Sequence, residues 1–268
     1  APVARLLADA PLILSEGRSF DVTTTYLGRD TRRGIDEQMA QAILRALRAE
    51  PGSVLAFLPG QSEIRRTEQR LADALAGLPE VDLVSLYGAL DLKAQDRAIA
   101  PAPPGRRKFV LSTAIAETSL TIEGVRVVVD SGLARVPRYE PDAGVTRLET
   151  VRVSRAAADQ RRGRAGRTEP GVCFRLWDEP ETASLKPFAE PEIRSADLAP
   201  LLLDCAAWGA SDPTALPWLD SPPAAALAAA RDELERLGAL TPDGRLTPAG
   251  RELNTLALPP RLAHMVLE

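Results

Sequence analysis

Residues 154–167 read SRAAADQRRGRAGR, and the reading of this stretch decides the fold. Ser154 is a good N-cap and is soon followed by three alanines, the strongest helix formers, so the stretch predicts a helix. At helical spacing Gln160, Arg164 and Arg167 fall at i, i+4 and i+7 and share one face. One amide and two guanidiniums aimed the same way suit an anion with several oxygens, such as a polyphosphate. Gly163 and Gly166 leave no side chain between those groups and an approaching ligand. Arg/Gly richness by itself fits a solvated basic surface or a disordered tail better. Here the run is single and mid-chain, and a strand-like segment follows at once, Gly171 to Trp177 (GVCFRLW).

Working outward, strands and helices alternate. FDVTTTYL (20–27) is β-branched and alternating, SVLAFL (53–58) is a buried apolar run closed by Pro59-Gly60, and 81–86 is a further strand. KFVLS (108–112) and VRVVVD (125–130) read as two more buried strands. Between them lie an amphipathic helix over 32–50, a second over 62–76 with Glu63 and Glu68 among arginines on its outer side, and a short one over 91–100. Such βα units predict an α/β fold with a mostly parallel sheet and flanking helices. From Leu133 to Val153 two β-rich arms surround Asp142-Ala143-Gly144, a hairpin insertion. Residues 179–194 read as a Glu/Pro-rich linker. Beyond it, helices over 195–208 and 223–237 and a tight hairpin at Asp243-Gly244 suggest a mainly α winged-helix domain, with a small helical cap as the other reading.

The chain has 268 residues, 45% hydrophobic and 26% charged, the composition of a soluble protein with a real core. No apolar run is long enough to span a membrane, and the N-terminus lacks the pattern of a signal peptide. Cys173 and Cys205 are far apart and His264 is the single histidine, which excludes the usual zinc spacings. Both cysteines read as core residues in a reducing, hence cytoplasmic, compartment. The net charge is −4 but uneven: residues 1–178 carry 26 Lys/Arg against 23 Asp/Glu, and residues 179–268 carry 7 against 14. Any nucleic-acid contact must therefore be local. Only Lys93, Lys108 and Lys186 are lysines.

The second chemical stretch is STAIAETSLTIEG (112–124), which leaves a buried strand and enters a loop dense in hydroxyls. Loops at the carboxyl ends of parallel strands are where α/β sheets bind ligands, and Ser112, Thr113, Thr118, Ser119 and Thr121 can donate to phosphate oxygens. An ordinary capped loop is the competing reading.

Taken together, these words resemble the DEAH-box family of superfamily 2 helicases. Residues 160–167 fill every fixed position of its motif VI, and 112–124 match its motif V except that Ala114 replaces Asn. FLPGQSEI (57–64) resembles motif IV, and LYGAL (86–90) with Gln95 and Arg97 the next element. The resemblance implies a second RecA-like domain over 1–178, a winged-helix domain over 195–258 and the start of a following helical domain over 259–268, most like the bacterial HrpB branch. It implies that Gln160, Arg164 and Arg167 meet the γ-phosphate of ATP, the arginines as fingers, and that Thr121 and Glu123 face nucleotide and metal-bound water. Gly60, Gln61 and Thr113 would hold the backbone of single-stranded or tailed nucleic acid, RNA being the expected kind. Arg135, Arg138, Tyr139 and Arg147 on the hairpin would separate strands, the arginines on phosphates and the tyrosine under a base. No lysine follows a glycine, so there is no P-loop, and no acidic motif suits a metal. The expectation is a fragment of a longer helicase, with ATP and Mg2+ held mainly by a first RecA-like domain in cis. A non-catalytic binding module and a DNA enzyme stay open beside it.

Overall fold

In the structure, a computed structural model, residues 2–14, 20–118, 122–141 and 143–268 are described. The elements run α1 (Pro2–Leu6), β1 (Val22–Tyr26), α2 (Ile35–Ala49), β2 (Ser53–Phe57), α3 (Gln61–Leu75), β3 (Val81–Leu86), α4 (Leu92–Ile99) and β4 (Arg107–Ser112). There follow α5 (Ile115–Thr118), β5 (Val125–Asp130), β6 (Leu133–Glu140), β7 (Val145–Arg152), α6 (Arg155–Gly163) and β8 (Gly171–Arg175). The last helices are α7 (Glu181–Ser184), α8 (Ala199–Ala207), α9 (Ala224–Arg236), α10 (Pro248–Thr255) and α11 (Pro260–Leu267).

The strands that read as unbroken apolar runs lie in the middle of one six-stranded parallel sheet of order β1-β8-β5-β2-β4-β3. Every residue of β2 is buried, whereas the threonines of β1 and the Asp82 and Ser85 of β3 place those strands at the edges. Only a strand covered on both faces must be apolar at every position. On one face α2 and α3 contribute Met39, Ile43, Ile64 and Leu71 to a core with Val54, Ala56, Phe109 and Val129. On the other, Leu55, Phe57, Val110 and Val128 meet Ala98, Ala116, Ala165 and Cys173. Cys173 and Cys205 are both free and buried.

The chain packs as two compact units, one of residues 16–136 and 149–189 and one of 1–15, 137–148 and 190–268. The first holds the parallel sheet and the base of the β6–β7 hairpin. It also takes in much of the expected linker, because α7 packs there: Trp177 Nε1 donates to Thr182 Oγ1 at 3.0 Å and the Arg155 amide to the Lys186 carbonyl at 2.8 Å. In the second unit α8 to α11 enclose Leu202, Leu203, Leu227, Leu234 and Leu253. The expected tight hairpin is there a single antiparallel bridge between Leu240 and Leu246. The hairpin tip belongs to this unit, where the Tyr139 amide donates to Ser195 O at 2.9 Å. Asp142, part of the turn read from sequence, lies outside the described residues.

Two local expectations change. The helix predicted over 154–167 stops at Gly163, with Ser154 Oγ capping the Ala157 amide at 3.2 Å. From there Arg164, Ala165 and Gly166 form tighter turns, each amide bonding the carbonyl three residues back. Glu63 is not on the outer side of α3: it is buried, with Arg66 at 2.9 Å and Arg135 at 3.1 Å.

What fixes α6 to the sheet is Arg161, whose side chain is fully buried. Its Nε donates to Glu117 Oε1 at 2.6 Å, and its Nη1 to Asp130 Oδ1 at 2.8 Å and to the Leu133 carbonyl at 3.1 Å. The guanidinium also lies 4.9 Å from the centre of the Phe57 ring. Burial alone would pull the Arg161 guanidinium down, but Asp130 and Glu117 outweigh it and hold it above its ordinary value. Removing one member of such a cluster strands the others without counter-charge, at a cost of about 3–5 kcal/mol. Arg161→Ala should therefore lower the calorimetric unfolding midpoint by roughly 10 °C. A shift of less than roughly 2 °C would mean that the cluster carries little of the fold.

Candidate functional site

The register of the sheet decides which loops meet. Phe57 pairs with Asp130 on one side and Ser112 on the other, and Ser112 pairs with Leu86. The loops that open at Ser131, Leu58, Thr113 and Tyr87 therefore stand side by side along the carboxyl edge of β5, β2, β4 and β3. Thr113 is half-buried, its amide bonded to Leu86 O at 3.2 Å. Gln61 is the first residue of α3 and half-buried. Gly60, the N-cap of that helix, is buried. A Cβ there would come within 2.5 Å of Arg135 Nη1, so the space left by the glycine accommodates Arg135. Arg135 in turn donates to Ser62 Oγ at 3.3 Å and Glu63 Oε1 at 3.1 Å. The close approach that Gly60 permits is made, within the chain, by the hairpin's own base. Ser112 is also internal, its Oγ donating to Thr113 O at 3.0 Å.

From Thr113 the chain turns directly into α5, the Ala116 amide reaching back to Thr113 O at 3.4 Å. Glu117 on this turn meets the motif VI segment twice. Its carboxylate takes Arg161, and its backbone carbonyl accepts from Arg164 Nη2. Arg164 is buried and turned inward, while Gln160 and Arg167 are exposed. The three do not form the uniform face that an unbroken helix would give, because the chain tightens after Gly163. The two guanidiniums nevertheless lie close enough to interact. Burial, then repulsion from Arg167, hold Arg164 below its ordinary value against the pull of Glu117.

The two glycines of the segment differ. A Cβ on Gly163 would meet nothing, leaving that flank open. One on Gly166 would stand 2.5 Å from Phe20 O and 2.7 Å from Val22 Cγ2, so Gly166 serves close packing against the entry to β1. Glu123 is exposed in the turn before β5. Thr121 and Ser119 lie outside the described residues.

On the hairpin, Arg138 and Arg147 are exposed, Arg147 pairing with Glu140 at 3.2 Å. Tyr139 is half-buried in the second unit beside Asp197 and Glu233, and Glu233 also takes Arg261 at 2.6 Å. Burial, the two carboxylates and a hydrogen bond to Glu233 raise the Tyr139 hydroxyl above its usual value. Arg135 and Tyr139 are thus tied into packing within the chain, Arg135 against Ser62 and Glu63 and Tyr139 beside Glu233.

Sequence reasoning missed Arg161, Glu117 and Asp130. The signals were present: Ala158 and Ala165 flank Arg161 on the buried side, and Asp130 ends a strand that is otherwise mostly valine. Among the described residues no group of three His, Cys, Asp or Glu side chains could hold a metal, and no helix is long and apolar enough to cross a membrane.

Residues 36–169 match the family described as "Helicase conserved C-terminal domain". Over 98% of its length the chain is 47% identical to the ATP-dependent RNA helicase HrpB of Escherichia coli, of which it covers 32%. It is 37% identical to HrpA of the same organism, over 99% of the chain and 21% of that protein. A crystal structure of E. coli HrpB superposes on the whole chain with a TM-score of 0.93 at 46% identity, 34% of that chain being covered. The chain thus spans about a third, or less, of the length of these relatives. With that match, that superposition and motifs V and VI joined through Glu117, the chain belongs to the DEAH-box helicase family and carries its helicase conserved C-terminal domain.

Proposed function

We propose that this chain is the phosphate-sensing and strand-gripping part of an ATP-dependent RNA helicase. One observation carries the reading. Glu117 sits four residues after Thr113 and contacts both Arg161 and Arg164, so the loop proposed to hold nucleic acid and the segment proposed to sense phosphate share one short helical turn. Movement at either end must be felt at the other, which is what coupling hydrolysis to a grip requires. Gln160, Arg164 and Arg167 would meet the γ-phosphate, Thr121 and Glu123 the nucleotide side, and Gly60, Gln61 and Thr113 the nucleic-acid backbone. The relatives named as RNA helicases favour RNA over DNA.

ATP supplies the phosphoryl group whose charge the arginines would stabilise. In this structure Arg164 donates to the Glu117 carbonyl, so engaging phosphate means loosening or sharing that bond. The sequence has no G-x-x-x-x-G-K-[ST], and we assign the cradle for ATP and Mg2+ to a further domain of a longer protein. The hairpin from Leu133 to Val153 is proposed as the strand-separating element. Arg138 and Arg147 would be its phosphate contacts, with Arg135 and Tyr139 as its anchors.

Three outcomes follow for measurement. The 268-residue chain alone should hydrolyse no ATP above buffer, and saturable turnover that survives a further purification step would overturn the assignment. In the full-length enzyme Arg164→Ala and Arg167→Ala should each lower kcat by about a hundredfold or more, since arginine fingers are worth on the order of 10³–10⁵. Lysine should rescue poorly, because an ammonium lacks the planar fork; near-normal turnover in both alanine variants would remove these residues from the reaction. Replacing residues 136–146 by a short Gly-Ser turn should leave RNA-stimulated hydrolysis largely intact while unwinding of a tailed duplex collapses. Arg138→Ala/Arg147→Ala, which spares the Tyr139 anchor, should weaken unwinding in the same sense. Unwinding at an unchanged rate per ATP would place strand separation elsewhere.

A further inference from the structure

The base of the hairpin divides the carboxyl edge of the sheet. It leaves β5, whose neighbours are β2 on one side and β8 on the other. Gly60, Gln61 and Thr113 all lie on the β2 and β4 side. On the β8 and β1 side, at a distance of two strand spacings or about 10 Å, the edge ends in a cleft of about 310 Å³ at the β1–α2 loop. Arg29, Arg33, Gln38, Gln41 and Arg45 line it, above a floor that includes Leu27 and Leu176.

This cleft heads a longer feature. The outer face of α2 carries Gln38, Gln41, Arg45 and Arg48 at intervals of three and four residues, while Met39, Ala42, Ile43 and Ala46 face the core. Over its 15 residues, about 22 Å, the helix leads from the carboxyl edge back along the sheet. The carboxylates on and beside that face, Glu37 one turn before Gln41 among them, are engaged by other side chains. Asp36 turns inward to Arg66 and Arg70, Glu37 pairs with Arg33, Glu50 with Arg126 and Asp30 with Arg32. Arg29, Arg45 and Arg48 make no ion pair among the described residues. Burial and the neighbouring Arg152 hold the Arg29 guanidinium below its ordinary value, with Glu181 opposing. Gln38 is spent on holding the loop in place: its Nε2 donates to Asp30 O at 2.9 Å and Arg33 O at 3.0 Å, and its Oε1 accepts from the Asp30 amide at 2.9 Å. The cations therefore stand on a rigid support, one behind another, with amides between them.

We propose that Arg29, Arg45 and Arg48, with Arg33 and Gln41 between them, form a phosphate track for the strand displaced when a duplex is opened at the hairpin. The topology assigns the occupant. A duplex parted at the end of β5 sends one backbone over β2 and β4, and its partner has the β8 and β1 side, where the cleft opens onto α2. The contacts are charge on phosphodiester, without base reading, so the track is indifferent to sequence and sensitive to salt. The inference rests on the proposed function, since it needs a nucleic acid and a hairpin that divides it.

The test compares three labelled RNAs on the 268-residue chain by fluorescence anisotropy across a salt series. They are a single strand, a tailed duplex, and a fork with both arms single-stranded. The fork should bind more tightly than the tailed duplex, with a slope of log K against log salt steeper by about 2, at about 0.7 per phosphate for three cations on a single strand. The triple variant R29Q/R45Q/R48Q should lose the added slope and the fork's advantage, while single-strand and tailed-duplex binding stay unchanged. The triple lysine variant should restore both, since a point charge suffices, and circular dichroism melts confirm that each variant is folded. Binding of the single strand with no advantage for the fork overturns the track and leaves the proposed function standing. An unchanged fork slope in the glutamine variant does the same, and turns the stripe toward another partner such as an acidic protein surface. Failure of the wild-type chain to bind any of the three overturns both.

Discussion

A guanidinium with no access to water holds the working edge of this molecule together. Arg161 reaches from α6 to Glu117 on α5, Asp130 at the end of β5 and the carbonyl of Leu133 where the hairpin begins. Three partners, from α5, the end of β5 and the start of the hairpin, converge on one planar ion. Such a cluster is a poor source of net stability, because the cost of desolvation offsets much of the attraction. Its value is geometric. The fork accepts few arrangements of its partners, so the rotation of α6, and with it the setting of Arg164 and Arg167, is tied to the turn beginning at Thr113. Among the described residues Asp130 Oδ2 is buried without a hydrogen-bond partner, so the arrangement falls short of full satisfaction there.

The parallel sheet was legible because burial on both faces leaves an unmistakable trace. SVLAF and VRVVVD could hardly be anything else, and the helices between them carry plain amphipathic periods. The chemistry-bearing stretches were legible as words, and their neighbourhood followed from the rule that parallel sheets gather loops at one edge. What the sequence hid were long-range pairings. Glu63 looks like one more charge on a solvated helix until Arg135, 72 residues away, is brought against it. Arg161 sits in a run with further arginines at 162, 164 and 167, and spacing cannot say which one turns inward. The length of α6 was overread for a related reason. The three-and-four spacing of Gln160, Arg164 and Arg167 suggested one continuous face, but Gly163 and Gly166 are weak helix formers, and close packing of Gly166 against Phe20 fixes a different backbone path.

Arginine does three kinds of work here, separated by burial. Arg161 and Arg175 are internal: Arg175 bonds Asp159 at 3.0 Å and lies against both Tyr26 and Trp177, with ring centres 5.8 and 5.2 Å from its guanidinium carbon. Arg164 is intermediate, buried yet next to the exposed Arg167. Arg45 and Arg48 stand in solvent on a helix whose acids are all used elsewhere. The same planar, weakly hydrated ion serves in each setting because it tolerates burial better than an ammonium and keeps its charge there.

The scarcity of lysine has a further consequence. Lys108 is internal, its Nζ bonded to the carbonyls of Arg97 and Ala100. That leaves Lys93 and Lys186 as the exposed side-chain amines, and neither lies on α2 or in the motif VI segment. Acetylation of lysine, which erases a positive charge, has nothing to act on at either place. Arginine is not deprotonated in proteins, so the cations of these surfaces are lost neither to lysine acetylation nor to mild alkali. What weakens the field of these cations is the salt of the surrounding solution.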